Sequence, residues 1–214
     1  MYRPISTSLN QWQKSKDGDA IFQFEKSQIE IAMKQYNIES ALQLCGLPYI
    51  HLMKSELRHY LLMVEPKEPL PIDCSSIRAD IDNLWPIKDA SFSSIIFSHT
   101  IERTQKGLDQ LINEAYRVLE DNGVLIILSI SLTSLIGVRR LLQVDGNHWC
   151  HSLYSDFYLH AKLIDAGFEI QPSIDFPIKN KWLPYYLPKA AMLGYKMTIA
   201  QKKEIGAFLN TSMN

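Results

Sequence analysis

The sequence predicts a single α/β domain, a parallel sheet covered by helices on both faces. Three observations predict it. Strand-like and helix-like segments alternate along the chain. The middle strand candidates are apolar on both faces instead of alternating with polar residues. The chain has 214 residues, enough for one substantial core, with two small domains as the alternative.

The elements follow in order. Ile29, Ala32, Met33 and Tyr36 recur at helical spacing and predict an amphipathic helix through about Asn37. "SALQLCG", Ser40 to Gly46, reads as a short strand, and Pro48 suits the first turn of a following helix. "YLLMVE", Tyr60 to Glu65, is the second strand. Pro66, Pro69 and Pro71 then exclude regular structure. "SSIRADI" is a weaker strand and "SSIIFSH", Ser93 to His99, a stronger one. In "KGLDQLINEAYRVLE" the residues Leu108, Leu111, Ile112, Ala115, Val118 and Leu119 form one helical stripe. Asp121-Asn122-Gly123 stops that helix with a turn, and the apolar "VLIILSI" follows as a strand. "SLIGVRRLL" is predicted helical. Ser155 is placed to cap "DFYLHAKLIDAG", with Gly167 just past its end. "FEIQPSIDF" and "GYKMTIAQ" are the last strands.

Composition narrows the function classes. A net charge of -1 and the lack of clustered Lys and Arg argue against a nucleic-acid surface. Three widely spaced cysteines, Cys45, Cys74 and Cys150, argue against a disulfide framework and for a reducing, cytoplasmic setting. The polar N-terminal stretch lacks the apolar centre of a signal peptide. The most apolar run, Val124 to Val138, is too short and too hydroxylated for a membrane span.

In an open parallel sheet, ligands bind beyond the carboxyl ends of the strands, where strand order reverses. The candidate site residues are therefore Cys45-Gly46-Leu47, Glu65, Asp80-Ile81-Asp82, Ser98-His99-Thr100 and Ser129-Ile130-Ser131. Glu65 ends the second strand, at the distance past the first turn where an acid accepts hydrogen bonds from a ribose. The plainer reading is a solvated loop glutamate.

The run "LWPIKDASFSSIIFSHTIERTQKGLDQLINEAYRVLEDNGVLIILSIS", Leu84 to Ser131, resembles the class I S-adenosylmethionine-dependent methyltransferases, in particular the type 11 group. Pro86, Asp89, Ser91, Phe92, Glu114, Arg117, Val118, Leu119 and Gly123 carry the match. The resemblance extends from about Ser40 to Lys203. It implies a Rossmann-like, seven-stranded, mostly parallel sheet of order 3-2-1-4-5-7-6, with helices on both faces and an antiparallel seventh strand. It implies S-adenosylmethionine as cofactor, with Glu65 facing the ribose, Asp80 and Ile81 beside the adenine, and Ser98, His99 and Thr100 on the methionine side. Cys45, Gly46 and Leu47 occupy the first cofactor turn. The expected division is a helical extension over 1–38, a methyltransferase-like domain over 39–205 and a tail over 206–214.

Two departures stand out. The family's G-x-G-x-G turn is reduced to Gly46, followed by Leu47 and Pro48, so a side chain stands where backbone normally approaches the ligand. Ser93 stands where the family prefers aspartate.

Methyl transfer from a sulfonium needs mainly alignment of an acceptor. His99 is the nearest candidate base, against the commoner role of a structural histidine. His148, Cys150 and His151 fit no zinc pattern, so no metal is expected. Their loop, with Trp149 and Tyr154, is read as a wall of the acceptor crevice, and "KWLPYYLPK" mainly as packing. Two functions result: a methyltransferase acting on a small-molecule acceptor, or an inactive member of the fold serving as a binding or scaffold module. A nicotinamide-dependent oxidoreductase is disfavoured because G-x-G-x-x-G is missing.

Overall fold

The computed structural model describes residues 16–45, 57–66, 70, 74–130, 152–172 and 195–203. In chain order these form α1 (Lys16–Gln35), β1 (Ser40–Cys45), β2 (His59–Val64), β3 (Ser76–Arg78), β4 (Phe92–Ser98) and α2 (Leu108–Val118). They continue with β5 (Leu119–Ile130), α3 (Asp156–Asp165), β6 (Phe168–Ile170) and β7 (Tyr195–Lys202). The strands make one seven-stranded sheet in the order β3-β2-β1-β4-β5-β7-β6. β1 is parallel to β2 and β4, β2 to β3, and β4 to β5. β7 is antiparallel to β5 and β6. This is the order that the resemblance implied.

Why the central strands lack a polar face is visible in the core. Successive strand residues point to opposite sides. Ile95, Phe97, Leu125 and Ile127 pack with α2 and α3 in one apolar cluster. Ile96, Val124, Ile126 and Leu128 pack on the other side, with Ile29, Ala32 and Met33 of α1. Both faces are covered, so the runs Ile95–Phe97 and Val124–Leu128 are apolar at every position.

α2 buries Leu108, Leu111, Ile112, Ala115 and Val118, as the periodicity predicted, and also Glu114. It starts after Gly107, whose φ is 94°, and stops where Leu119 turns extended. The turn expected at 121–123 lies inside the span of β5. Leu119 already pairs with Phe92, the register then shifts, and Val124 pairs with Ser94. Residues 120–123 are the extra length of that irregularity, with Asn122 at φ 63°. A Cβ on Gly123 would stand 2.8 Å from the Glu120 carbonyl oxygen and 3.0 Å from the Leu119 side chain. Gly123→Ala is therefore expected to cost about 1–3 kcal/mol, as overpacking against backbone does. Urea unfolding reads this, and an unchanged midpoint would refute it.

α3 is capped as the sequence predicted: the Ser155 hydroxyl accepts from the Tyr158 N–H at 3.3 Å. Gly167 follows at φ 97°, a left-handed conformation that favours glycine. At the opposite end of the sheet from the ligand side, Ser93 answers its own departure. Its hydroxyl accepts from the Ser40 N–H at 2.9 Å, and the Ser40 hydroxyl accepts from the Ser93 N–H at 2.8 Å. A hydroxyl thus ties the start of β1 to the start of β4. The helices expected after Pro48 and over "SLIGVRRLL", the 145–151 loop and the 181–189 segment lie outside the described residues.

Candidate functional site

The strand order reverses at β1, which lies between β2 and β4. The candidate site is the set of residues just beyond these three strands. Cys45 closes β1 and pairs with Ser98 at the end of β4. Gly46 and Leu47 lie outside the described residues.

Beyond β4 the chain makes a turn of a kind that sequence rarely advertises. From Ser98 to Thr104 no residue except Ile101 is apolar, yet all seven are buried, none more than 5% exposed. Buried polar groups must find partners, and charged ones most of all. Here the turn finds them on both neighbouring strands and on α1.

His99 sits at φ 52°, a left-handed conformation uncommon outside glycine, although histidine is among the residues enriched there. Its N–H donates to the Leu128 carbonyl at 2.9 Å, which holds the kink against β5. Its Nε2 is 2.9 Å from Oε1 of Glu25 on α1, and its Nδ1 is 3.6 Å from Oε1 of Glu102. Burial alone would lower the imidazole pKa. The charge of Glu25, the nearby carboxylate of Glu102 and the hydrogen bond to Glu25 outweigh it and raise the value from 6.5 to about 10. At neutral pH the ring is therefore an imidazolium, the form that cannot accept a proton. The Thr100 hydroxyl donates to the Leu44 carbonyl at 3.2 Å, so it binds the turn to the end of β1.

Glu65 follows β2 directly and is 25% exposed. Its Oε1 lies 2.7 Å from Nη2 of Arg103, whose own side chain is 3% exposed. Asp80 is exposed and turned toward its own loop: it accepts from the Asp82 N–H at 2.9 Å and from the Asn83 amide at 2.7 Å. Ile81 is buried in the core, and its carbonyl accepts from the Trp85 indole at 3.3 Å. Asp82 joins the loop after β3 to the turn after β4. It accepts from the Thr104 hydroxyl and from the Gln105 N–H at 2.8 Å. Ser129, near the end of β5, is buried as well, and Ile130 ends that strand. Ser131 lies outside the described residues.

The structure thus gathers Glu65, Ser98, His99 and Thr100 around the tips of β2, β1 and β4, with Asp80 on the adjoining rim. Sequence reasoning missed Glu25, Glu102 and Arg103. Glu25 leaves a faint signal, because it stands four residues before Ile29 on the stripe that should be apolar. Arg103 leaves none, since a polar residue after a strand reads as solvated loop.

The residues that carried the family pattern do different work. Glu114 accepts from the Trp85 N–H at 2.8 Å. Arg117 donates to both oxygens of Glu114, at 3.0 and 2.7 Å, to the Ile87 carbonyl at 2.8 Å, and to Asp89. These residues clamp the 85–89 loop onto α2, away from the tips of β1, β2 and β4.

Residues 42–127 match the family model described as a methyltransferase domain. Over that segment the chain is similar to this methyltransferase family. No curated protein matches the chain by sequence. Solved structures do resemble the domain. A SAM-dependent methyltransferase from Archaeoglobus fulgidus has 15% identity and a TM-score of 0.63, over 92% of this chain and 98% of that one. An S-adenosylmethionine-dependent methyltransferase from Mesorhizobium loti has 11% identity and a TM-score of 0.59, over 80% and 96%. The YcgJ protein from Bacillus subtilis has 12% identity and a TM-score of 0.60, over 83% and 99%. At such identities the likeness establishes the fold.

The family implies S-adenosylmethionine as cofactor, and the domain can be tested for it. The decisive group is an acid at the tip of β2, able to accept from a ribose diol. Glu65 meets that requirement in position and in partial exposure. Among the described residues no group of three or more His, Cys, Asp or Glu side chains could hold a metal ion, and no helix is long and apolar enough to cross a membrane.

Proposed function

We propose that the protein is an S-adenosylmethionine-dependent methyltransferase acting on a small-molecule acceptor in the cytoplasm. The observation that carries the reading is the rim carboxylate of Glu65 at the end of β2, one strand from the reversal point of a sheet in the methyltransferase order. When bound, S-adenosylmethionine supplies an already activated methyl group. The protein then has to hold cofactor and acceptor in line and exclude water.

Glu65 is the residue assigned to the ribose, with Cys45, Gly46 and Leu47 at the first turn, Asp80 and Ile81 toward the base, and Ser98, His99 and Thr100 toward the methionine end. His99 acts through the turn it anchors, as a positioning residue. The small acceptor is favoured by the near-neutral charge of the chain, which offers no basic surface for nucleic acid. The three scattered cysteines favour the reducing compartment.

Calorimetric titration with S-adenosylmethionine and with S-adenosylhomocysteine tests the reading. Saturable binding below millimolar concentration is expected, and Glu65→Ala should weaken it about tenfold or more, the value of one good charged hydrogen bond. No heat at millimolar ligand would remove the proposal. One observation favours the second reading, an inactive member of the fold that serves as a binding or scaffold module: Glu65 already has a partner in Arg103. Transfer of labelled methyl from bound cofactor to any small acceptor would decide against that reading.

A further inference from the structure

In the sheet, β1 lies between β2 and β4. Glu65 stands directly after β2, and Arg103 lies on the turn that follows β4. The 2.7 Å contact between their side chains therefore bridges the end of β1, the strand whose tip a class I cofactor must cross. The turn that presents Arg103 is anchored on every side. The Arg103 N–H donates to the Thr100 carbonyl at 3.0 Å, and the Thr100 hydroxyl bonds the end of β1 at 3.2 Å. His99 is ion-paired to α1, Thr104 bonds Asp82, and the Glu102 carbonyl accepts from the Ser152 N–H at 3.1 Å. This frame fixes the backbone from which the Arg103 side chain reaches Glu65.

We propose that Arg103 is an internal competitor in the cofactor site, which occupies Glu65 until a ribose displaces it. This rests on the S-adenosylmethionine reading above. A carboxylate that grips a vicinal diol offers an oxygen to each hydroxyl. An oxygen ion-paired with a guanidinium at 2.7 Å is the poorer acceptor for either of them. Binding must then move Arg103 off Glu65, and the apparent affinity carries the cost of that opening.

The experiment compares S-adenosylhomocysteine binding to the wild type, Arg103→Met and Arg103→Lys by calorimetry, with thermal unfolding as the check on folding. Methionine keeps most of the length and the buried apolar contact and removes the charge. Arg103→Met is expected to bind about tenfold tighter or more, a 1.4 kcal/mol equivalent, with Arg103→Lys close to the wild type. Equal or weaker binding by a folded Arg103→Met would overturn the competitor role and leave the cofactor reading standing. No binding by any of the three proteins would overturn both.

Arginine side-chain NMR on the wild type gives a second readout that does not depend on the variants folding. The guanidinium signal of Arg103, assigned by its loss in Arg103→Lys, should shift and exchange faster with solvent at ligand saturation. A signal unchanged at saturation would show that the pair stays closed, and the proposal would be wrong.

Discussion

Arg117→Ala is expected to lower the unfolding free energy by about 2–4 kcal/mol, enough to shift the melting temperature by about 5–15 °C in a chain of this size. Arg117 makes charged hydrogen bonds to both oxygens of Glu114 and to Asp89, and it satisfies the carbonyls of Ile87 and, at 3.2 Å, Trp85. Glu114 is buried at 7% exposure. Without the guanidinium it would keep the Trp85 N–H as donor and lose its only described countercharge. Breaking a buried pair by removing one partner costs more than the pair itself contributes, because a desolvated charge is left behind. The figure is set below the fully buried range, since the Arg117 side chain is a quarter exposed and water can reach the vacated space.

Arg117→Lys should recover less than half of the loss. An ammonium cannot serve a carboxylate in two directions and two carbonyls at once. Urea unfolding of both variants checks this. An alanine variant within about 0.5 kcal/mol of the wild type, the range of an ordinary surface change, would show that the clamp is ornamental. Cofactor affinity measured on the folded fraction should change little, because the clamp lies on α2 and the 85–89 loop.

That separation explains what could be read before the structure. The family pattern was legible because these residues are scaffold: Glu114 and Arg117 bond the backbone of Trp85 and Ile87, Asp89 bonds Arg117, and Gly123 packs against the Glu120 carbonyl. The sheet was legible because strands buried on both faces cannot hide their composition, as Ile95 to Phe97 and Val124 to Leu128 illustrate. Long-range polar pairing was not. Glu25 is a carboxylate on a core stripe, and it becomes intelligible only when folding brings His99 to 2.9 Å. Arg103 and Glu65 meet across a strand that belongs to neither. Local pattern rules see periodicity and turn chemistry, and neither carries information about which charge will face which. The fold was therefore nearly complete in the sequence, whereas the site was present only as a set of positions.

Stability should fall with rising pH between about 6.5 and about 10, and His99 should be the cause. The unfolded chain gives up the His99 proton near 6.5, whereas the folded protein holds it to about 10. In that window the native state binds the extra proton, so the contribution of His99 is fully present below about 6.5 and is lost as pH climbs through the folded value. The slope should approach about 1.4 kcal/mol per pH unit, the limit for one proton. The ring is 2% exposed, and the carboxylates that face it among the described residues include Glu25 from α1 and Glu102 from its own turn. With so little solvent contact, moderate salt should leave the slope almost unchanged.

His99→Gln keeps a donor for Glu25 and removes the charge. It should flatten the profile and, at neutral pH, cost about 3–5 kcal/mol, because two buried carboxylates lose their shared cation. Urea unfolding of the wild type and the variant across the window is the measurement. Parallel profiles would mean that His99 carries no excess proton. The helix and the turn would then be joined by packing and neutral hydrogen bonds alone, and the ion pair between α1 and the rim of the crevice would have to be abandoned.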